Sequence, residues 1–131
     1  MAATASGGAL RIEAGTFSAI NTTFSGNTAG QGGAIFQNSG TFDLSFSTLA
    51  ENTTSNAGSG AVVYNDGSMT IDASIIANNP GGNCGGMAIS GANNLQYPGS
   101  NCGMGFSTLN PLLAARVDNG SDVYYPLLEN S

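Results

Sequence analysis

The stretch FSGNTAGQGGAIFQNSGTF, residues 24–42, carries no charged side chain and is rich in Gly, Asn, Ser and Thr. A linker could have that composition, yet Phe24, Ile35, Phe36 and Phe42 are residues of protein interiors. The tripeptide Gly-Gly-Ala at 32–34 also stands at 7–9. Working outward, three segments align without internal gaps: GGALRIEAGTFSAINTTFSGNT from Gly7, GGAIFQNSGTFDLSFSTLAENT from Gly32 and SGAVVYNDGSMTIDASIIANNP from Ser59. They are equal in length, and only the connector between them changes, growing from AGQ (29–31) to TSNAG (54–58). Insertion confined to one loop is what a stacked structural unit tolerates.

The aligned columns have chemical meaning. Leu10, Ile35 and Val62 share one; Phe17, Phe42 and Met69 a second; Ala19, Leu44 and Ile71 a third; Phe24, Leu49 and Ile76 a fourth. Phe17 with Ala19, Phe42 with Leu44 and Met69 with Ile71 alternate with polar neighbours, the period of a strand. Gly15, Gly40 and Gly67, then Asn27, Asn52 and Asn79, fall between the apolar positions in register, where bends are expected. A coil of this length cannot bury its own apolar side chains, but coils stacked at a strand spacing of about 4.8 Å can. Like then lies on like, with a structural Asn ladder at Asn27, Asn52 and Asn79 hydrogen-bonding from amide to amide. The sequence predicts an all-β parallel β-helix (solenoid). About three regular coils, starting at Gly7, Gly32 and Ser59, occupy 7–85, and a modified C-terminal coil and tail occupy 86–131. In that fourth coil Ile89 is expected under Val62, and TLNPLL and DVYYPLL supply further short strands. The whole of 1–131 reads as one segment of a longer protein.

The pairing of GGAI (32–35) with F-S-G-N (24–27) resembles the repeats of polymorphic outer-membrane-type proteins and related bacterial surface proteins with a right-handed parallel β-helix. Downstream, SIIANNPGGNCGG (74–86), GANNLQYPGSNCG (91–103) and LNPLLAARVDNGSDVYYPLLENS (109–131) are similar to the end pattern of that group. There a two-Cys segment precedes an Asp-Pro-Leu-Leu run; here Asn110 stands in place of the Asp. The resemblance covers nearly the whole chain. It implies a right-handed coil and a secreted or cell-surface location in a bacterium. Cys84 and Cys102 are the only cysteines. In an exported protein the expected reading is one disulfide, which the loop between them makes worth about 3 kcal/mol; two buried thiols are the alternative.

Composition narrows function further. Charged residues are 8 % against roughly 25 % in ordinary globular proteins, while hydrophobic residues are 40 %, so disorder is disfavoured. Twenty Gly argue against long helices. The net charge is −6 and Arg11 and Arg116 are the only basic side chains, which excludes phosphate-backbone recognition and attraction to anionic lipid. No apolar run approaches the ~20 residues of a spanning helix, so no membrane insertion by this segment is expected. MAATASGGAL shows no signal-peptide pattern.

Some β-helices degrade polysaccharides, so the carboxylates need a test. Glycoside hydrolysis requires two of them facing one cleft. Asp43 and Asp72 project from the second strands of adjacent coils, on different columns. The first-strand outward column, read as Arg11, Phe36, Val63 and Ser90, has none. Asp66 sits in an Asn-Asp-Gly turn, and without His or Lys no nucleophile–base pair can be assembled. No cofactor or metal site is expected, and no enzymatic activity. An ice-binding face would need regular hydroxyl columns; Thr16, Thr41 and Ser68 make one, but Asp and Ile interrupt the next two. Asp43, Asp72 and Phe36 remain as candidate ligand contacts, with Phe46 and Tyr64 the other aromatics outside the inward columns.

The resulting expectation is a non-catalytic structural or adhesive β-solenoid segment, presenting a rigid surface to a glycan or protein ligand on a host or neighbouring cell. The alternative is a glycan-binding or polysaccharide-degrading β-helix fragment. The first coil would show an open edge, so self-association through it is expected.

Overall fold

A computed structural model describes residues 6–55 and 62–129. The segment start at Ser59 and most of the connector before it lie outside the described residues. Among the described residues the chain is all-β, without helix. Leu10–Ile12, Ile35–Gln37, Val63–Asn65 and Cys84–Gly86 make a parallel sheet in that order. Thr16–Ile20, Thr41–Ser45 and Ser68–Asp72 make a second parallel sheet. Thr23–Ser25, Thr48–Ala50, Ile75–Ala77, Asn94–Tyr97 and Phe106–Ser107 make a third. Each ladder joins a strand to its equivalent in the next repeat. Hydrogen bonds in three separate sheets therefore link neighbouring repeats.

The second and third sheets follow the aligned columns. Phe17–Phe42–Met69, Ala19–Leu44–Ile71 and Phe24–Leu49–Ile76 are directly paired. Phe42, Leu44, Leu49, Met69, Ile71 and Ile76 are fully enclosed. Burial of side chains this size contributes about 1.5–3 kcal/mol each, which is how a chain with so few charges holds together.

The first sheet departs from the alignment by one residue. Ile35 pairs with Val63, not Val62, although both valines are buried. The amides of Ala34 and Ile35 both donate to the Val62 carbonyl at 3.0 Å, as those of Ala9 and Leu10 do to that of Ala34, so Val62 takes the place of Ala34 and the third repeat has one more residue ahead of its strand. The following corner compensates: Asn38–Gly40 fills it in the second repeat, but only Asp66–Gly67 in the third. An insertion and a deletion that cancel leave no gap to see in sequence. The outward column is consequently Arg11–Phe36–Tyr64–Gly85, not Arg11–Phe36–Val63–Ser90.

The last repeat is shorter. Cys84 pairs with Val63, and Ser90 bridges Thr70, so Ile89 continues the Met69 column and does not lie under Val62. Beyond Phe106–Ser107 the chain stops adding parallel strands. Leu112 to Leu128 closes as an antiparallel hairpin through Val117–Asp118 against Val123–Tyr124, with Leu113 bridged to Leu127. TLNPLL and DVYYPLL thus pair with each other.

Cys84 and Cys102 are disulfide-bonded with Cα atoms 4.9 Å apart, both buried. Reduction should lower stability by about 3 kcal/mol, because a loop of this size regains its closure entropy in the unfolded chain. Urea titrations with and without reductant measure the difference. Superimposable curves would mean that the ladder alone fixes this loop.

Polar ladders line two corners. Asn52 Oδ1 accepts from Asn27 N and Nδ2 at 3.0 and 2.9 Å, and Asn79 Oδ1 accepts from Asn52 N and Nδ2 at 2.9 and 3.2 Å. Asn79 Nδ2 passes the chain on to Asn83 Oδ1 at 3.3 Å. A second run is not apparent from sequence: Thr22 N donates to Ser47 Oγ, Ser47 N to Ser74 Oγ, and Ser74 N to Asn94 Oδ1. Ser47, Ser74 and Asn94 are all buried, so each corner amide inside the stack finds a partner.

Candidate functional site

Strand alternation builds the site on the first sheet. Leu10 and Ile12, Ile35 and Gln37, and Val63 and Asn65 face inward, so the residues between them face out. Because the ladder holds these residues in register, their side chains stack along it. The Phe36 and Tyr64 rings lie nearly parallel, at 7° with centroids 5.4 Å apart. The Arg11 guanidinium caps the other side of Phe36, with Cζ 5.5 Å from the ring centroid, and is itself ion-paired with Glu13. Phe36 is therefore only 8 % exposed despite pointing away from the core. Aromatic and cation–π contacts of this kind contribute about 0.5–1.5 kcal/mol each.

The column ends abruptly. The next residue in it is Gly85, which offers no side chain to the far face of Tyr64. Beyond the strand Cys84–Gly86 lies a cavity of about 240 Å³ lined by Gly85, Gly86, Met87, Ile89, Asn101 and the disulfide. Met87 is 59 % exposed at its rim. The arrangement is a half-buried phenol ring with one flat side uncovered by its sheet neighbour. Its chemistry suits stacking against a planar group or the apolar face of a sugar.

The carboxylates are placed differently. Asp43 stands in the column Ser18–Asp43–Thr70, and Asp72 in Ile20–Ser45–Asp72. Asp72 Oδ1 accepts the Ala92 amide at 2.8 Å, a turn-holding role. Among the described residues no three His, Cys, Asp or Glu side chains cluster as metal ligands. Thr16–Thr41–Ser68 is in register, and the interrupted columns beside it are Ser18–Asp43–Thr70 and Ile20–Ser45–Asp72.

The hairpin supplies a contact absent from the sequence reading. Tyr125 Oη lies 2.6 Å from Ser25 Oγ and donates to Glu51 Oε2 at 2.8 Å. Partial burial raises the phenol above its ordinary range; Glu51 acts in the same direction, against the Ser25 hydrogen bond. Nothing in the local sequence marks Tyr125 over Tyr124, because its partners lie in repeats far back along the chain. Comparison with protein-family models, with curated proteins and with solved structures finds no match to this chain.

Proposed function

We propose that the chain is a right-handed parallel β-helix that acts without catalysis, as a rigid contact segment of a secreted or cell-surface bacterial protein. The observation that carries this reading is the Arg11–Phe36–Tyr64 column, an ordered outward aromatic row on a sheet whose register is fixed by its ladder. Right-handedness follows the general preference of parallel crossovers. The disulfide supports an oxidising compartment. The partner is a glycan or a protein surface that stacks on the uncovered side of Tyr64. Neutral aromatic contact suits a chain of net charge −6 better than recognition of an anion.

A glycan array probed with wild type, Tyr64→Ala, Asp43→Ala and Asp72→Ala tests the reading. Tyr64→Ala should lower binding about tenfold, the worth of one stacking contact, while the two Asp variants bind as wild type. Loss confined to the Asp variants would move the site to the second sheet. Release of fragments or unsaturated ends from a polysaccharide panel would establish the degrading alternative and end this proposal.

A further inference from the structure

We infer that the cavity beyond Cys84–Gly86 is a slot for one secondary amide, selecting an N-acetylated amino sugar whose ring stacks on Tyr64. The inference rests on the reading of Tyr64 as a stacking surface and names the substrate class for it. The first sheet stops at Cys84–Gly86, while the third continues past Asn94–Tyr97 to Phe106–Ser107. The chain thus reaches Phe106 without laying a strand on Cys84–Gly86, an edge that lies inside the sequence with described residues on both sides. The cavity of about 240 Å³ is lined there by residues 84–89 and 101–103.

The backbone groups facing this slot follow from those already engaged. Val63 N donates to Asn83 O at 2.9 Å, and Met87 N donates to Asn65 O at 2.6 Å. The N–H and C=O of one trans peptide unit point opposite ways, so Cys84 N–H and Gly86 C=O face away from the sheet. Asn101 Oδ1 accepts the Cys84 N–H from that side at 3.3 Å. Ladder alternation turns Cys84 C=O and Gly86 N–H the same way. Cys84 C=O and both backbone groups of Gly86 have no partner among the described residues. An edge offering an N–H and a C=O side by side pairs with a secondary amide.

Two features make that amide an acetamido group and not a peptide. Asn101 stands on the Cys84 N–H, and the Cys84–Cys102 disulfide ties its loop there, so an extended chain could not run on along the edge. A group that ends in a methyl can stop at this point. The side chains around it are those of Met87, Ala88, Ile89 and the disulfide, an apolar lining that suits a methyl. Gly85 then couples the slot to Tyr64. It is the ladder partner of Tyr64 and also lines the cavity, so a ring on the uncovered phenol face carries its substituent towards the slot. Such a ligand is neutral, in keeping with a net charge of −6.

Titration calorimetry with a chitin tetrasaccharide and with a cellulose tetrasaccharide, which lacks only the acetamido groups, tests the slot. Wild type should bind the chitin oligomer at least about tenfold more tightly, the worth of one or two hydrogen bonds. Ala88→Leu, which fills the slot from its lining, should erase that preference and leave the cellulose affinity unchanged. Met87→Ala adds no bulk and should reduce the preference in the same direction. Tyr64→Ala should weaken both sugars alike. Equal affinity of wild type for the two sugars would overturn the slot and leave the stacking reading standing. Binding of neither sugar would overturn both, and binding of a tetra-alanine peptide in their place would overturn the acetamido assignment.

Discussion

Replacing Asn52 with alanine is expected to lower unfolding free energy by about 3–5 kcal/mol, because several buried partners lose their bonds at once. The side chain is completely buried and its amide is fully used. Oδ1 accepts two bonds from Asn27, and Nδ2 donates to Phe24 O, Ala50 O and Asn79 Oδ1. Truncation strands several of these partners without water, and each buried orphan costs about 1–3 kcal/mol. Neighbouring Asn27 is only partly buried and donates a single side-chain bond to the ladder, so Asn27→Ala should cost about 1 kcal/mol. Denaturant titrations of the two variants give the comparison. Equal, small losses would mean that the amide chain contributes register and not stability.

Phe42→Ala should be about as damaging, at about 3–5 kcal/mol, through lost burial and the cavity left behind. Phe42 is inaccessible and sits between its ladder partners Phe17 and Met69; its ring centroid lies 5.8 Å from that of Phe17. Phe17 occupies the same column at the end of the stack, where it is 44 % exposed. Its truncation should cost about half as much, since about half of the transfer term is absent. Thermal melts of the two variants separate the two costs. A larger penalty at Phe17 than at Phe42 in the monomer would contradict the placement of the core.

Most of the architecture is readable because repetition averages out local ambiguity. A single alternating stretch such as Thr41–Ser45 is weak evidence for a strand; three stretches with Phe17, Phe42 and Met69 in one column leave little else. The Asn corner is legible for the same reason. The slip at Val62 is not, since an added residue before the strand is cancelled by the shorter Asp66–Gly67 corner. That slip hides the Phe36–Tyr64 stack, which the correct register would have predicted. The left-handed corner residues are only partly legible. Gly and Asn columns point to bends at Gly15, Gly40 and Gly67, and at Asn27, Asn52 and Asn79. The structure gives positive φ to Gly15 and Gly40 but not to Gly67, and at the Asn corner to the residue before each Asn, Gly26, Glu51 and Asn78; it also puts Asn21, Phe46, Ala73 and Asn93 at φ of 53°, 51°, 48° and 60° in equivalent positions. Phe46 and Ala73 carry no sequence signature of that conformation. Only the stacking above and below imposes it. Tyr125 is invisible for a different reason, because its partners are reached through a hairpin that follows no repeat.

The return of that hairpin makes the chain a nearly closed circuit, clasped where Tyr125 grips Ser25 and Glu51. Force drawing the hairpin away from the sheets would fall first on these few bonds. Once the clasp opened, repeats would peel one at a time, as far as the covalent staple between Cys84 and Cys102 allowed. Yielding would then come in small steps and not in one rupture.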